Sequence, residues 1–423
     1  MKILWLKTEL LHPVDKGGKI RTYQMLKEIR KSHHVTYLTL DDGTADLDAR
    51  QKAEEYAHEV ITVPHATTAK FSPRFYVELA GNVVSPFPYA LQKYVSAGMR
   101  KAITEAVNKT RFDITVCDFL APAVNVPVGL AMGTLLFQHN VEAMIWRRHF
   151  EVATNPLKKA FFRHQWQRMF NYESAACNRF DGVVAVSKDD AETMRRHYGA
   201  SNVRDIPTGV DTEYFSPGTK SNRANIVFTG SMDWLPNDDA IQWFTSEVLP
   251  LVRGSVPDIS LTIVGRNPSA SLRAICDRDP AVVVTGRVPD VRPYMDDASV
   301  YVVPIRIGGG TRLKIYEAMA MELPVVSTTV GAEGLPVEDG REILLRDDAG
   351  SFAEAIVKLL NDPAAARKLG SQAANSVREN YGWAKVADDF ATVCERTIQS
   401  RTRRMDKVQT VEDEGAAMRS EVA

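Results

Sequence analysis

The sequence holds only four cysteines, Cys117, Cys177, Cys276 and Cys394, and no two of them form a Cys-x-x-Cys pair. That excludes a disulfide-stapled scaffold and a cysteine-based zinc site, and it fits a reducing compartment. No apolar run reaches the roughly 18 residues that a membrane-spanning helix needs. The opening apolar stretch is interrupted by charge at Lys7 and Glu9, too early for a secretory signal. The expectation is a cytoplasmic protein, with peripheral contact at the inner face of the membrane left open. Net charge is missing too: 52 Lys and Arg stand against 53 Asp and Glu, for a balance of -1. No global field favours nucleic acid, so no nucleic-acid partner is expected. No Gly-x-Gly-x-x-Gly follows a first strand, which argues against a nicotinamide oxidoreductase. No internal repeat recurs at a period of about 20–50 residues, which excludes a solenoid.

What is present is ordinary globular composition, 44% hydrophobic and 25% charged, over 423 residues. That length suggests two cores of about 200 residues each. Short β-branched runs at 3–6, 35–38, 114–116, 135–137 and 183–186 alternate with helix-length segments. A second series follows at 226–228, 261–264, 282–284, 300–303 and 325–326. Continuous apolar runs joined this way read as buried parallel strands with crossover helices. The fold class expected is α/β, with two Rossmann-like doubly wound domains. Turn formers from Pro207 through Pro217 and Gly218 separate the two series. The domains expected are 1–205 and 206–382, then a helix over 383–400 and a disordered tail over 401–423.

The strongest motif is Gly308-Gly309-Gly310-Thr311-Arg312-Leu313-Lys314-Ile315-Tyr316-Glu317. A strand precedes three glycines, and Thr311 suits the N-cap of a helix running to Met321. Glycines let the backbone approach a bulky anion, and a helix N-terminus offers it unpaired N–H groups. Arg312 and Lys314 put two cations in the first turn, against the dipole preference, which makes sense if a diphosphate neutralises them. Glu317 lies one turn beyond Lys314 and can accept hydrogen bonds from ribose hydroxyls.

Gly17 and Gly18 open a second anion-accessible turn before an amphipathic helix that carries Arg21. His139 follows a strand, at the end where α/β sheets open to ligands. Asn140 and Glu142 can serve an acceptor or cap the next helix. Residues 144–173 interleave Arg147, Arg148, Lys158, Lys159, Arg163 and Arg168 with Trp146, Phe150, Phe161, Phe162, Trp166 and Phe170. They read either as core aromatics with a solvated cationic face or as a surface for an anionic or lipid-linked acceptor. Ser187 reads as a helix cap. Asp233, Asp238, Asp239, Asp296 and Asp297 lack Asp-x-Asp spacing and read as caps and surface, so no metal is expected.

Several of these segments together resemble one family. Glu317-Ala318-Met319-Ala320-Met321-Glu322-Leu323-Pro324-Val325-Val326 is similar to a signature of family 4 glycosyltransferases, retaining enzymes of the GT-B architecture. Pro207-Thr208-Gly209-Val210-Asp211 with Phe215 and Pro217 resembles the interdomain run of that family. Gly286-Arg287-Val288 resembles its base-binding loop, and Gly17-Gly18 and His139 complete the order over about residues 1 to 390.

The resemblance implies two domains facing a cleft, the N-terminal one for the acceptor and the C-terminal one for the donor. It also implies a last helix that crosses back to the N-terminal domain. The donor would be a nucleoside diphosphate sugar acting as co-substrate, with no cofactor. The acceptor would be a saccharide or lipid-linked molecule in polysaccharide or glycolipid assembly. The donor-side residues implied are Gly18, Gly230, Gly286, Val288, Gly309, Gly310, Thr311 and Glu317. His139, Arg312, Lys314 and Glu317 are the catalytic candidates, and Gly17, Arg21, Asn140 and Glu142 the acceptor-side ones. Two departures stand out. The carboxylate that the family usually carries eight residues before Glu317 is replaced by Gly309, and the loop from Gly230 to Asn237 lacks the family's Arg and Lys. Arg312 and Lys314 are the candidates to replace that phosphate clamp. The alternatives are a GT-B-like nucleotide-sugar epimerase and a non-catalytic nucleotide-sugar-binding protein.

Overall fold

The computed structural model describes all residues except 15–16, 44–46, 69–71, 83–84, 219–223, 308–312 and 422–423. The chain divides into two compact units, one of Met1–Pro207 with Val386–Ala423, the other of Thr208–Lys385.

In the first unit β1 (Lys2–Lys7), β2 (His34–Asp41), β3 (Glu59–Pro64), β4 (Ile114–Asp118), β5 (Gly133–Phe137), β6 (Gly182–Ala185) and β7 (Val203–Asp205) form one sheet. Their order is β3-β2-β1-β4-β5-β6-β7. All pairings are parallel, with Leu4 opposite Thr36 on one side and Thr115 on the other. The β4 strand is buried throughout, as a strand covered on both faces must be. The order reverses between β1 and β4, and such a switch point is where open α/β sheets receive ligands.

Trp5, Phe137 and Phe390 pack ring on ring at 5.0 to 6.2 Å in the same unit. Phe390 comes from the final helix, Trp383–Glu421, so the chain's last helix is part of this unit's core. Arg401 on it pairs with Asp181 at 3.0 Å, and Asp181 also accepts from the Thr134 amide at 3.0 Å. The helix does not stop near residue 400 before a disordered tail: it continues to Glu421. Past Arg401 the sequence is rich in Arg, Glu, Ala and Met and holds no proline, so helix propensity carries it on.

In the second unit β8 (Asn225–Thr229), β9 (Ser260–Val264), β10 (Val282–Val284), β11 (Val300–Val303), β12 (Val325–Ser327) and β13 (Leu344–Leu345) stand in the order β10-β9-β8-β11-β12-β13, again all parallel. Alternation along each strand feeds two cores. Val227, Tyr301 and Val303 pack on one side with Ile315, Tyr316 and Met319, while Ile226, Phe228 and Val302 pack on the other with Phe352 and Ile356. Here the switch point lies between β8 and β11.

The apolar runs locate every central strand but miss β3, β7 and β13, each of which is a sheet edge. Edge strands need only one neighbour and carry mixed, half-buried residues, as in Glu59–Pro64 and Leu344–Leu345. The run signal is therefore weak there.

Candidate active site

The switch point of the first unit ends in charge. Lys7 closes β1 and Asp118 closes β4, and Lys7 Nζ lies 2.9 Å from Asp118 Oδ2, both side chains buried. The same oxygen accepts from Trp5 Nε1 at 2.9 Å and Thr22 Oγ1 at 2.6 Å, while Lys7 Nζ donates to Thr22 Oγ1 at 2.7 Å. The other carboxylate oxygen faces His139 Nε2 at 2.8 Å. Burial alone would raise the pKa of Asp118, but Lys7 and His139 hold it well below the usual carboxylate range. Burial pushes His139 down to about 3, only partly opposed by Asp118, so the imidazole is neutral at neutral pH.

Phe119 completes this site. Its backbone takes a left-handed φ of 75°, uncommon for a non-glycine residue. The ring stacks on His139 at 3.8 Å and lies 4.4 Å beneath Lys7 Nζ. A Cβ on Gly18 would sit 3.0 Å from the Phe119 ring. The structure thus brings Gly18 and His139 to one aromatic plate, while Gly17 is exposed at the start of the Gly17–Ile29 helix. Sequence reasoning missed Lys7, Thr22, Asp118 and Phe119. A usable signal was there, since Lys7 and Asp118 are charges that each close an apolar strand.

The turn after His139 is held from a distance. The Glu142–Val152 helix has Val141 at its N-cap, which offers no side-chain acceptor. Instead Glu173, fully buried on the Pro156–Arg179 helix, accepts from the Glu142 and Ala143 amides at 2.9 Å each. It also accepts from Gln138 Nε2 at 2.9 Å and Tyr198 Oη at 2.7 Å. A carboxylate at a helix N-terminus is favourable, yet burial pushes Glu173 up to about 7. Asn140 is exposed, and Glu142 is half-buried with its pKa raised by burial. Glu173 was not foreseen, because its partners lie some 30 residues away.

At the second switch point Gly230 follows β8. A Cβ on Gly230 would lie 2.7 Å from both Lys314 Nζ and Asn237 Nδ2, and one on Gly265 would lie 1.8 Å from the Gly230 carbonyl oxygen. Only glycines permit this approach. It lets Lys314 reach the end of β8, where its Nζ donates to Asn237 Oδ1 at 3.0 Å and sits 4.2 Å over the Phe228 ring. Glu317, one turn along the Leu313–Ala320 helix, is half-buried and has no hydrogen-bond or ion-pair partner among the described residues. Burial pushes its carboxyl up to about 7, with Lys314 pulling the other way. Gly286 has φ 72° beside a bridge to Gly265, and Val288 packs on the core. Beside Gly286 a surface groove of about 700 Å³ is lined by Arg266, Arg273 and Arg287 among others. Gly308, Gly309, Gly310, Thr311 and Arg312 lie outside the described residues.

The aspartates have structural partners. Asp239 pairs with Arg306 at 2.8 Å, Asp238 accepts from Ser269 Oγ at 2.6 Å, and Asp296 accepts from the Gly218 amide at 3.0 Å. Asp233 accepts from Asn267 Nδ2 at 2.8 Å, and Asp297 from Asn225 Nδ2 at 3.3 Å. Among the described residues no group of three or more His, Cys, Asp or Glu could hold a metal ion, and no helix is long and apolar enough to cross a membrane.

Comparison with known proteins matches two family models, "Glycosyltransferase Family 4" over residues 16–214 and "Glycosyl transferases group 1" over residues 223–362. An uncharacterized 44.6 kDa protein of the cps region of Klebsiella pneumoniae is 23% identical over 398 residues, which cover 91% of this chain and 97% of that protein. A D-inositol 3-phosphate glycosyltransferase of Streptomyces bingchenggensis is 28% identical over 259 residues, with 53% of this chain and 54% of that protein covered. With relatives of this second kind the match spans only about half their length. Among solved structures, sucrose-phosphate synthase of Thermosynechococcus elongatus aligns with a TM-score of 0.64 at 19% identity, over 94% of this chain and 99% of that one. Anabaena HepE in complex with UDP aligns at 0.63 and 14%, over 94% and 100%. At these identities the structural likeness shows the fold.

Proposed function

This chain belongs to the family 4, group 1 glycosyltransferases, and on that premise we propose that it is a retaining enzyme using a nucleoside diphosphate sugar. The acceptor is a saccharide or lipid-linked molecule in polysaccharide or glycolipid assembly. One observation carries the donor reading: Lys314 is drawn to the end of β8 while Glu317, one turn on, keeps an unpartnered carboxylate among the described residues. A cation and a free acceptor one turn apart suit a diphosphate and a ribose.

In this reading the second unit holds the nucleotide. Glu317 accepts from the ribose hydroxyls, Gly286 and Val288 border the base, and Gly230 leaves room at the diphosphate. The amides of Gly309, Gly310 and Thr311, with Arg312 and Lys314, stabilise the departing diphosphate. The first unit contributes His139 to orient the sugar, Gly18 to the donor, and Gly17, Arg21, Asn140 and Glu142 to the acceptor. The bond from the anomeric carbon to the diphosphate oxygen breaks, and the bond to the acceptor oxygen forms on the same face. The acceptor proton passes to the leaving phosphate oxygen. No cofactor or metal is invoked.

The test is nucleoside diphosphate release from a panel of nucleotide sugars, beginning with UDP-sugars because HepE was solved with UDP. Slow release from at least one donor is expected, and Lys314→Ala should raise the KM for that donor by roughly tenfold. No release from any donor would favour the binding-protein alternative, and interconversion of the sugar without transfer would favour the epimerase.

Peripheral membrane contact belongs to the same proposal. At the start of the Pro156–Arg179 helix, which follows the Glu142–Val152 helix, Leu157 is 83% exposed and is followed by exposed Lys158 and Lys159. Arg148 and Arg163 add further exposed cations, while Trp146, Trp166 and Phe170 pack on the core. An apolar tip ringed by cations suits an anionic lipid surface. The protein should cosediment with vesicles containing phosphatidylglycerol and not with pure phosphatidylcholine. Lys158→Glu with Lys159→Glu should weaken binding by about tenfold or more. Equal recovery with both vesicle types, or no effect of the charge reversal, would sink this part.

A further inference from the structure

Arg21 is an anomaly in the first unit. It lies on the second turn of the Gly17–Ile29 helix and is only 7% exposed. Among the described residues its guanidinium has neither a hydrogen-bond acceptor nor a carboxylate at ion-pair distance. Its nitrogens are not among the fully enclosed unpaired atoms of the described residues, so the head group keeps a narrow opening, and a cation so largely removed from water is costly without an acceptor. The nearby carboxylates do not supply it. Asp118 is committed to Trp5, Lys7, Thr22 and His139. Asp190 acts on Arg21 only through space, and it also faces Asp189 and Arg148. Lys7 adds a second positive charge in the neighbourhood. The same helix holds no acidic residue in its first turn.

We propose that Arg21 and the amide end of the Gly17–Ile29 helix bind an oxyanion carried by the acceptor, a phosphate or a carboxylate. The acceptor class is then a sugar phosphate or uronate rather than a neutral sugar. A guanidinium fork matches such a group with two parallel hydrogen bonds, and the helix end adds unpaired N–H groups. This inference rests on the glycosyltransferase reading for the word acceptor; the oxyanion site itself does not.

The experiment compares the wild type with Arg21→Gln and Arg21→Lys in calorimetric titrations with glucose 6-phosphate, glucuronate and UDP. Apo melting temperatures are recorded alongside. Arg21→Gln should leave the apo melting temperature unchanged or higher, because an unpaired buried charge is removed. Its affinity for the sugar anions should fall roughly ten- to a hundredfold, with UDP affinity kept. Arg21→Lys should lie between. A loss for UDP instead of the sugar anions would assign the oxyanion to the donor and overturn the acceptor assignment. A sharp fall in apo melting temperature with sugar-anion affinity intact would make Arg21 structural and overturn the site. A wild type that binds none of the three probes would also overturn it. Failure of the transferase reading shows separately, as absent nucleotide release from every donor while sugar anions still bind at Arg21.

Discussion

Replacing Glu317 by alanine is expected to lower kcat/KM for the donor by roughly a hundredfold or more, with little change in the stability of the free protein. The magnitude follows from two ribose hydroxyls donating to one charged acceptor, each bond contributing about 1.5–3 kcal/mol. Stability should hold because the carboxylate bonds to nothing among the described residues, so its removal breaks no native contact. The pH dependence gives a second handle. Burial raises the folded pKa to about 7, so the free protein favours the protonated carboxyl, and this group's contribution to stability is lost as pH rises through about 7. Donor binding runs the opposite way, since ribose hydroxyls donate to the ionised form. The wild-type donor KM should therefore climb as pH falls below about 7, approaching tenfold per unit. Glu317→Gln should abolish that limb. A KM within about threefold of wild type in the alanine variant, or an unchanged limb in the glutamine variant, would remove Glu317 from the ribose.

Replacing Asp118 by asparagine should cost the first unit about 3–5 kcal/mol, because it leaves Lys7 buried without its counter-charge. The carboxylate oxygen that serves Trp5, Lys7 and Thr22 cannot be matched by one amide. Adding Lys7→Met to the Asp118→Asn variant should restore part of the loss. That coupling separates an ion-pair defect from a general packing defect. Two acid limbs are expected in the wild type. Asp118 is held below its ordinary pKa of about 3.9, so its contribution is present above that value and is lost as pH falls below it. His139 stays neutral down to about 3, whereas an unfolded histidine takes up a proton near 6.5. Stability should decline from about pH 6.5 downward on that account. Urea unfolding at several pH values measures both. A loss below about 1 kcal/mol at pH 7, or no recovery with Lys7→Met, would show that the pair does not hold this site together.

Much of the fold was legible because buried parallel strands must be continuously apolar, and runs such as 3–6 and 300–303 are short and well separated. Three of the four edge strands escaped, Glu59–Pro64 and Leu344–Leu345 among them, since one-sided pairing does not require such a run. The polar composition past residue 401 suggested disorder, but the charged residues there are also helix formers, and the helix goes on to Glu421. Glu317, Lys314, Gly18 and His139 were candidates by their places relative to strands and helix starts. Lys7, Asp118 and Glu173 were not, because each acts through partners remote in the chain.

The sequence by itself determined the class of two α/β units, the family and the residue types of the candidate site. These depend on local periodicity and on motifs confined to a few adjacent positions. Only the tertiary structure decided which groups are compensated. Asp118 came to serve four partners and Glu173 to cap a distant helix, while Arg21 and Glu317 were left buried or half-buried with none among the described residues. Pairing of charges depends on distance in space, and parallel sheets bring strand ends together from residues more than a hundred positions apart.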